Sequence, residues 1–202
     1  MFALVESGSI TKYFSGDKGV TIDGIQHPKT IFTLWTEAER NAIGVYTVEI
    51  DESKKKDEKW YINTNITYTF SGGKVTGSYG DATARAHADT LFTAQDETDG
   101  LGTEGDVKTE GLKTRLIRDI KKQAESELNR TDWYVTRKSE KDTAIPGSIT
   151  THRDAVRTKQ AAMETSITNA SDTPALETLY TYTEQEDGSV TRPLGEIPTL
   201  ED

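Results

Sequence analysis

A glycine-rich acidic stretch, three histidines and two arginines one helical turn apart are the residues of this chain that could do chemistry. Gly100-Leu101-Gly102-Thr103-Glu104-Gly105 has the spacing G-x-G-x-x-G, in which glycines let a backbone approach a pyrophosphate. A working fingerprint follows a buried strand and presents a neutral nest. Here Asp96, Glu97, Asp99, Glu104 and Asp106 crowd the segment and repel phosphate, so residues 95–111 read as a flexible acidic linker. The same acids lack the D-x-D-x-D-G spacing that holds calcium. His27, His87 and His152 each stand without a neighbouring ligand at i+3 or i+4, which argues against zinc.

The chain has no cysteine, so thiol chemistry, thiolate metal sites and disulfides are excluded, in keeping with a reducing compartment. A G-x-S-x-G elbow is absent and the scattered carboxylates show no pairing. The expectation is a protein that is not an enzyme, with no catalytic, cofactor-binding or metal residues and no cofactor. What remains are candidates for interaction: Asp132, Trp133, Tyr134, Arg153 and Arg157. Asp132 reads first as an N-cap or turn acceptor, with a sharper alternative in which it pairs with Arg153 or Arg157 across a helical hairpin. Trp133 and Tyr134 are expected in the core, ahead of a role as a ligand platform.

The elements that must position these residues follow from periodicity. Leu112, Leu116, Ile117, Ile120, Ala124 and Leu128 form one stripe of a helix. Val156, Met163, Ile167 and Ala170 form a second, beginning after Ile145-Pro146-Gly147 with Ser148 or Thr150 as its cap. Two amphipathic helices joined by Thr131-Asp132-Trp133-Tyr134-Val135 predict an antiparallel hairpin over 112–182, ending in a further helical turn from Ala175. Upstream, Phe2-Ala3-Leu4-Val5 and Ile10-Thr11-Lys12-Tyr13-Phe14 predict a hairpin. Thr36 and Glu39 predict a capping box, and 45–50 alternates as a strand. Residues 60–70 and 75–79 predict a second hairpin across Ser71-Gly72-Gly73-Lys74, with one face wet or meeting a partner. Alternating alanines over 81–91 predict a helix. Together these give an α+β protein: an antiparallel β-rich lobe over 1–94, the linker, the helical hairpin and an extended tail over 183–202 that needs a surface to lie on.

A hydrophobic content of 33% is too low for one core holding 202 residues, which predicts two modest lobes. The net charge of −10 argues against nucleic acid, because no basic patch is segregated: Lys54-Lys55-Lys56 is flanked by Asp51, Glu52, Asp57 and Glu58. No apolar run approaches a membrane span and no basic leader opens the chain, so a soluble protein is expected.

Two stretches resemble a known group. The opening Met-Phe-Ala-Leu-Val-Glu-Ser-Gly-Ser-Ile-Thr-Lys-Tyr, followed by Ile43-Gly44-Val45-Tyr46, is similar to the M-x-A-L-V-E-N-G-x-I start of many tail proteins of tailed bacteriophages. Leu128 to Val135, then Ile145-Pro146 and Arg153-x-x-x-Arg157, resembles the phage tail assembly chaperone and tail-fibre accessory group, with its L-x-x-T-D-W turn between helices. The resemblance spans about half the chain and leaves 52–111 unmatched. It implies a non-enzymatic structural or adaptor component of the tail, baseplate or tail fibre, assembled in the host cytoplasm and residing in the virion. The alternative it leaves open is an assembly chaperone absent from the mature particle. The partners implied are other tail or fibre proteins, with a homo-oligomer as a further option, and neither nucleic acid nor membrane.

Overall fold

The computed structural model describes residues 1–200. The chain folds as two compact units, residues 1–83 and residues 84 onward, and its class is the expected α+β, with a curled sheet in the N-terminal half and helices after it.

In the first unit, β1 (Phe2–Glu6) and β2 (Ser9–Phe14) form the predicted N-terminal hairpin. The small ribbon β3 (Val20–Ile22) and β4 (Ile25–His27) follows, then a single 3-10 turn at Lys29–Phe32. Helix α1 (Glu37–Ala42) starts on the capping box read from the sequence: the Thr36 N–H donates to Glu39 Oε2 at 2.8 Å and the Glu39 N–H to Thr36 Oγ1 at 3.3 Å. Strand β5 (Val45–Asp51) lies beside β1. After β6 (Tyr61–Ile62), β7 (Thr67–Ser71) turns back into β8 (Lys74–Ser78).

The sheet runs β2-β1-β5-β8-β7, and β5 and β8 are parallel, with Val48 opposite Val75. The β7–β8 ribbon therefore finds its neighbour in this chain's own β5, where the sequence alone pointed to a wet face or a partner. The sheet curls until the edge strands approach, Tyr13 on β2 reaching Tyr68 on β7 with ring centroids 5.1 Å apart. Inside the lobe, Leu4, Phe14, Ile22, Ile31, Phe32 and Val45 form a core.

Strand β9 (Thr83–Ala84) marks the passage to the second unit. That boundary falls earlier than the expected 94/95, because 84–111 is tied to the helices. Helix α3 (Leu112–Asn129) begins at Gly111, which offers no side chain to cap its first turn. Its orphan donors are met from upstream instead: the Leu112 N–H by the Ala86 carbonyl at 2.9 Å, the Lys113 N–H by that of His87 at 3.0 Å, and the Gly111 N–H by Asp89 Oδ1 at 2.6 Å. Serving as acceptors keeps this stretch extended, so the predicted helix over 81–91 does not form.

The acidic segment is likewise ordered. Strand β10 (Thr90–Leu91) pairs with β11 (Val107–Thr109) around α2 (Ala94–Thr98), which has its own Thr93–Asp96 capping box. The glycines of the G-x-G-x-x-G pattern have conformational tasks here. Gly100 and Gly105 sit at φ 73° and 87°, and a Cβ on Gly102 would lie 2.6 Å from the Phe92 ring.

Beyond α3 come α4 (Asp132–Lys141), α5 (Gly147–Asn169) and α6 (Thr173–Tyr180). The two long helices pack as foreseen, burying Leu116, Ile120 and Ala124 against Val156, Met163 and Ile167. Two local expectations are corrected. The segment between them is a helix rather than a turn. And α5 is entered from Pro146 with no side-chain cap, Thr150 donating back to the Pro146 carbonyl instead. Asp172 caps α6, with Pro174 in its first turn.

The tail forms a short ribbon, β12 (Thr183–Glu184) with β13 (Val190–Thr191), and then runs over its own helices. Leu194 is buried and its N–H reaches the Leu179 carbonyl at 3.0 Å, while the Leu200 N–H reaches Glu127 at 2.7 Å. The last two residues of the expected tail lie outside the described residues.

One close approach in the sheet can be tested. A Cβ on Gly77 would come within 2.7 Å of the Tyr68 ring and 2.9 Å of Ile50 and Ile66 side-chain carbons. Gly77→Ala should therefore destabilise the first unit by about 1–3 kcal/mol through overpacking, read as a lower denaturant midpoint with an unchanged slope.

Candidate functional site

Where α3 ends and α4 begins, the chain must satisfy two sets of orphan backbone groups within a few residues. Helix α3 points its last carbonyls at the bend, and α4 points its first N–H groups there. Arg153, in the second turn of α5, is buried at this place. Its guanidinium Nη1 donates to the Leu128 carbonyl at 2.8 Å and to Thr131 Oγ1 at 2.6 Å, and it pairs with Asp132 Oδ1 at 2.8 Å. Thr131 is fully buried, its N–H and hydroxyl both donating to the same Leu128 carbonyl at 3.0 and 2.9 Å. A cation at the negative end of α3 and a carboxylate in the first turn of α4 both complement the helix dipoles.

The sharper of the two sequence readings of Asp132 thus describes the observed pair, with Arg153 as the partner. Arg157 is not part of it. That side chain turns to Asp154 at 3.4 Å and lines an open concavity of about 720 Å³ with Gln160, Ala161 and Glu164.

Trp133 and Tyr134 correct the expectation of burial. Trp133 is 51% exposed and Val135 43%, and α4 buries none of its ten residues. The two rings lie against each other with centroids 3.8 Å apart, and the Arg137 guanidinium sits 4.7 Å from the Trp133 ring and 5.2 Å from Tyr134. At spacings of four, Trp133, Arg137 and Lys141 share a helix face with Tyr134 and Lys138 beside them. The periodicity that found α3 and α5 could not see this: a helix whose apolar residues have no core to meet has no stripe to read.

A second polar cluster, which sequence reasoning missed, lies one turn back on α3. Glu127 is buried, and its carboxylate accepts from the Leu200 N–H at 2.7 Å and from Arg130 at 3.1 Å, with His152 Nε2 3.0 Å away. Burial pushes the Glu127 carboxyl up, but the Leu200 N–H, Arg130 and His152 outweigh it and hold the group below the usual carboxylate range. Only the tail, 73 residues downstream, reveals the role. The other histidines sit elsewhere: His27 packs edge-on to Trp35 at 5.8 Å, and His87 lends its carbonyl to α3. Among the described residues no three His, Cys, Asp or Glu side chains gather in a way that could hold a metal ion.

The arrangement can orient and present; it offers no nucleophile beside a base. Two outcomes follow. Arg153→Met leaves the Leu128 carbonyl and the Thr131 hydroxyl without their charged donor and should cost about 1–3 kcal/mol, whereas Trp133→Ala should stay within about 0.5 kcal/mol of the parent, both by chemical denaturation. Because the Glu127 carboxyl is lowered in the folded chain, its contribution is present above the unfolded value near 4.3 and is lost as pH falls through the lower folded value. The protection of the Leu200 N–H against hydrogen exchange, taken relative to the intrinsic rate at each pH, should accordingly fall on acidification and be reduced at neutral pH in Glu127→Gln.

Compared with known proteins, the chain matches no family model, no curated protein and no solved structure.

Proposed function

We propose that this chain is a non-enzymatic protein of a tailed-bacteriophage tail, a structural adaptor that joins tail, baseplate or fibre parts through protein–protein contacts. The observation that carries the adaptor reading is α4: a helix with no buried residue, fixed at its base by the Arg153 cluster and displaying Trp133, Tyr134 and Arg137. Aromatic residues and arginine are the side chains that dominate interface energies, and a prefixed backbone spares the loss of freedom that binding otherwise costs. The assignment to a phage tail rests on the resemblance of the N-terminal stretch and of the Thr131-Asp132-Trp133-Tyr134 segment described above.

Quantitative mass spectrometry of purified particles tests it. A fixed copy number per virion is the expected result. A protein absent from particles that raises the soluble yield of a co-expressed fibre protein would instead be the chaperone.

A further inference from the structure

The display face of α4 has a counterpart in the same unit. Among the described residues its cations without an ion pair are Arg137 and Lys141, against one exposed acid of the helix, Glu140, that is likewise unpaired; Lys138 has an exposed pairing to Asp142. Between residues 94 and 107 there is no lysine or arginine but five acids. Of these, Asp96 is engaged by Lys108, while Asp99, Glu104 and Asp106 make no ion pair among the described residues. Apolar side chains stand among them uncovered, Leu101 61% exposed, Val107 48% and Leu91 47%. One surface is aromatic with a net excess of positive charge, the other acidic and aliphatic, which is the complementarity that sets register and partner choice at interfaces.

Within one molecule the two surfaces are attached to opposite ends of α3. The acidic segment closes through β11 onto the start of α3, and α4 leaves from its end. The 18 residues between make a rod of roughly 27 Å at about 1.5 Å per residue.

We infer that α4 of one copy docks on the 91–107 segment of a second copy. Such a contact joins two different patches, so the pair keeps one of each free, and repetition gives a closed ring or an open filament rather than a twofold dimer. The inference rests on the reading of α4 as a contact face and not on the phage assignment.

Sedimentation of the purified full-length chain tests it. The wild type should show a mass that rises with concentration at low ionic strength and falls to the monomer at about 0.5 M salt, where screening is within a few ångströms. A chain with Arg137→Glu, Lys138→Glu and Lys141→Glu should be monomeric, as should one with Asp99→Lys, Glu104→Lys and Asp106→Lys. Each should bind itself at least ~10-fold more weakly than the wild type does. An equimolar mixture of the two variants should associate again, since each then offers what the other lacks. Circular dichroism and melting curves matching the wild type establish that the variants are folded. A wild type that stays monomeric at low salt overturns the inference and leaves α4 to a different protein, with the adaptor reading intact. Association that neither reversal weakens, or a mixture of folded variants that stays monomeric, overturns it as well. Loss of the protein from virions while association persists would instead count against the phage assignment alone.

Discussion

The second unit depends on one buried guanidinium. Arg153 sits where two helices change direction, and three acceptors converge on a single nitrogen: a main-chain carbonyl, a threonine hydroxyl and a carboxylate. Burying a charge without such partners would be prohibitive, and the Leu128 carbonyl, which also accepts from the Thr131 N–H and hydroxyl, is one of them. Because Asp132 remains 53% exposed, the pair is not sealed from water, and its contribution is more direction than strength. Hydrogen bonds are directional where apolar contacts are not, so this cluster fixes the heading of α4, which has no core face to do so.

A chain with 33% hydrophobic residues meets its structural needs by using its own segments as covers. The β7–β8 ribbon lies against β5, the Ala86 and His87 carbonyls and the Asp89 carboxylate cap α3, and the tail lies along the helices with Leu194 buried and Leu200 held by Glu127. Each of these could have been left for a neighbour to complete, and each is completed internally. That economy sharpens the contrast with α4, the element of the described chain of eight or more residues that buries nothing.

What was legible in the sequence was whatever local pattern and burial agreed on. Leu112 to Leu128 read as a helix because every third or fourth residue meets the core. Thr36 and Glu39 read as a cap because the bonds close within four residues, and Arg153 was within reach of recognition because it lies one turn from Arg157 and opposite an aspartate. The failures share a cause, which is tertiary override of local propensity. Alanines at 82, 84, 86 and 88 favour a helix until the carbonyls of Ala86 and His87 are claimed by α3. The parallel β5–β8 pairing joins strands whose contacts span more than 20 residues, and Glu127 is tied to Leu200 across 73. Trp133 was misplaced for the opposite reason: composition says aromatic residues are buried, but only a core to receive them makes it so.

The base of α4 and its face are chemically opposite, and this division is informative about how the helix works. Had α4 been held by apolar packing, Trp133 or Val135 would have been the natural residues to bury, and the helix would have spent its interaction surface on folding. Anchoring it through Thr131, Asp132 and Arg153 leaves Trp133 exposed and Tyr134 only part-buried. The exposed Trp133–Tyr134–Arg137 stack is also self-ordered, since each group restrains the rotamers of the other two. The entropy of arranging these side chains is therefore largely lost on folding rather than on contact. A surface prepared in this way gains affinity from contacts that would otherwise be offset by ordering, and it does so without adding apolar area to a chain that has little to spare.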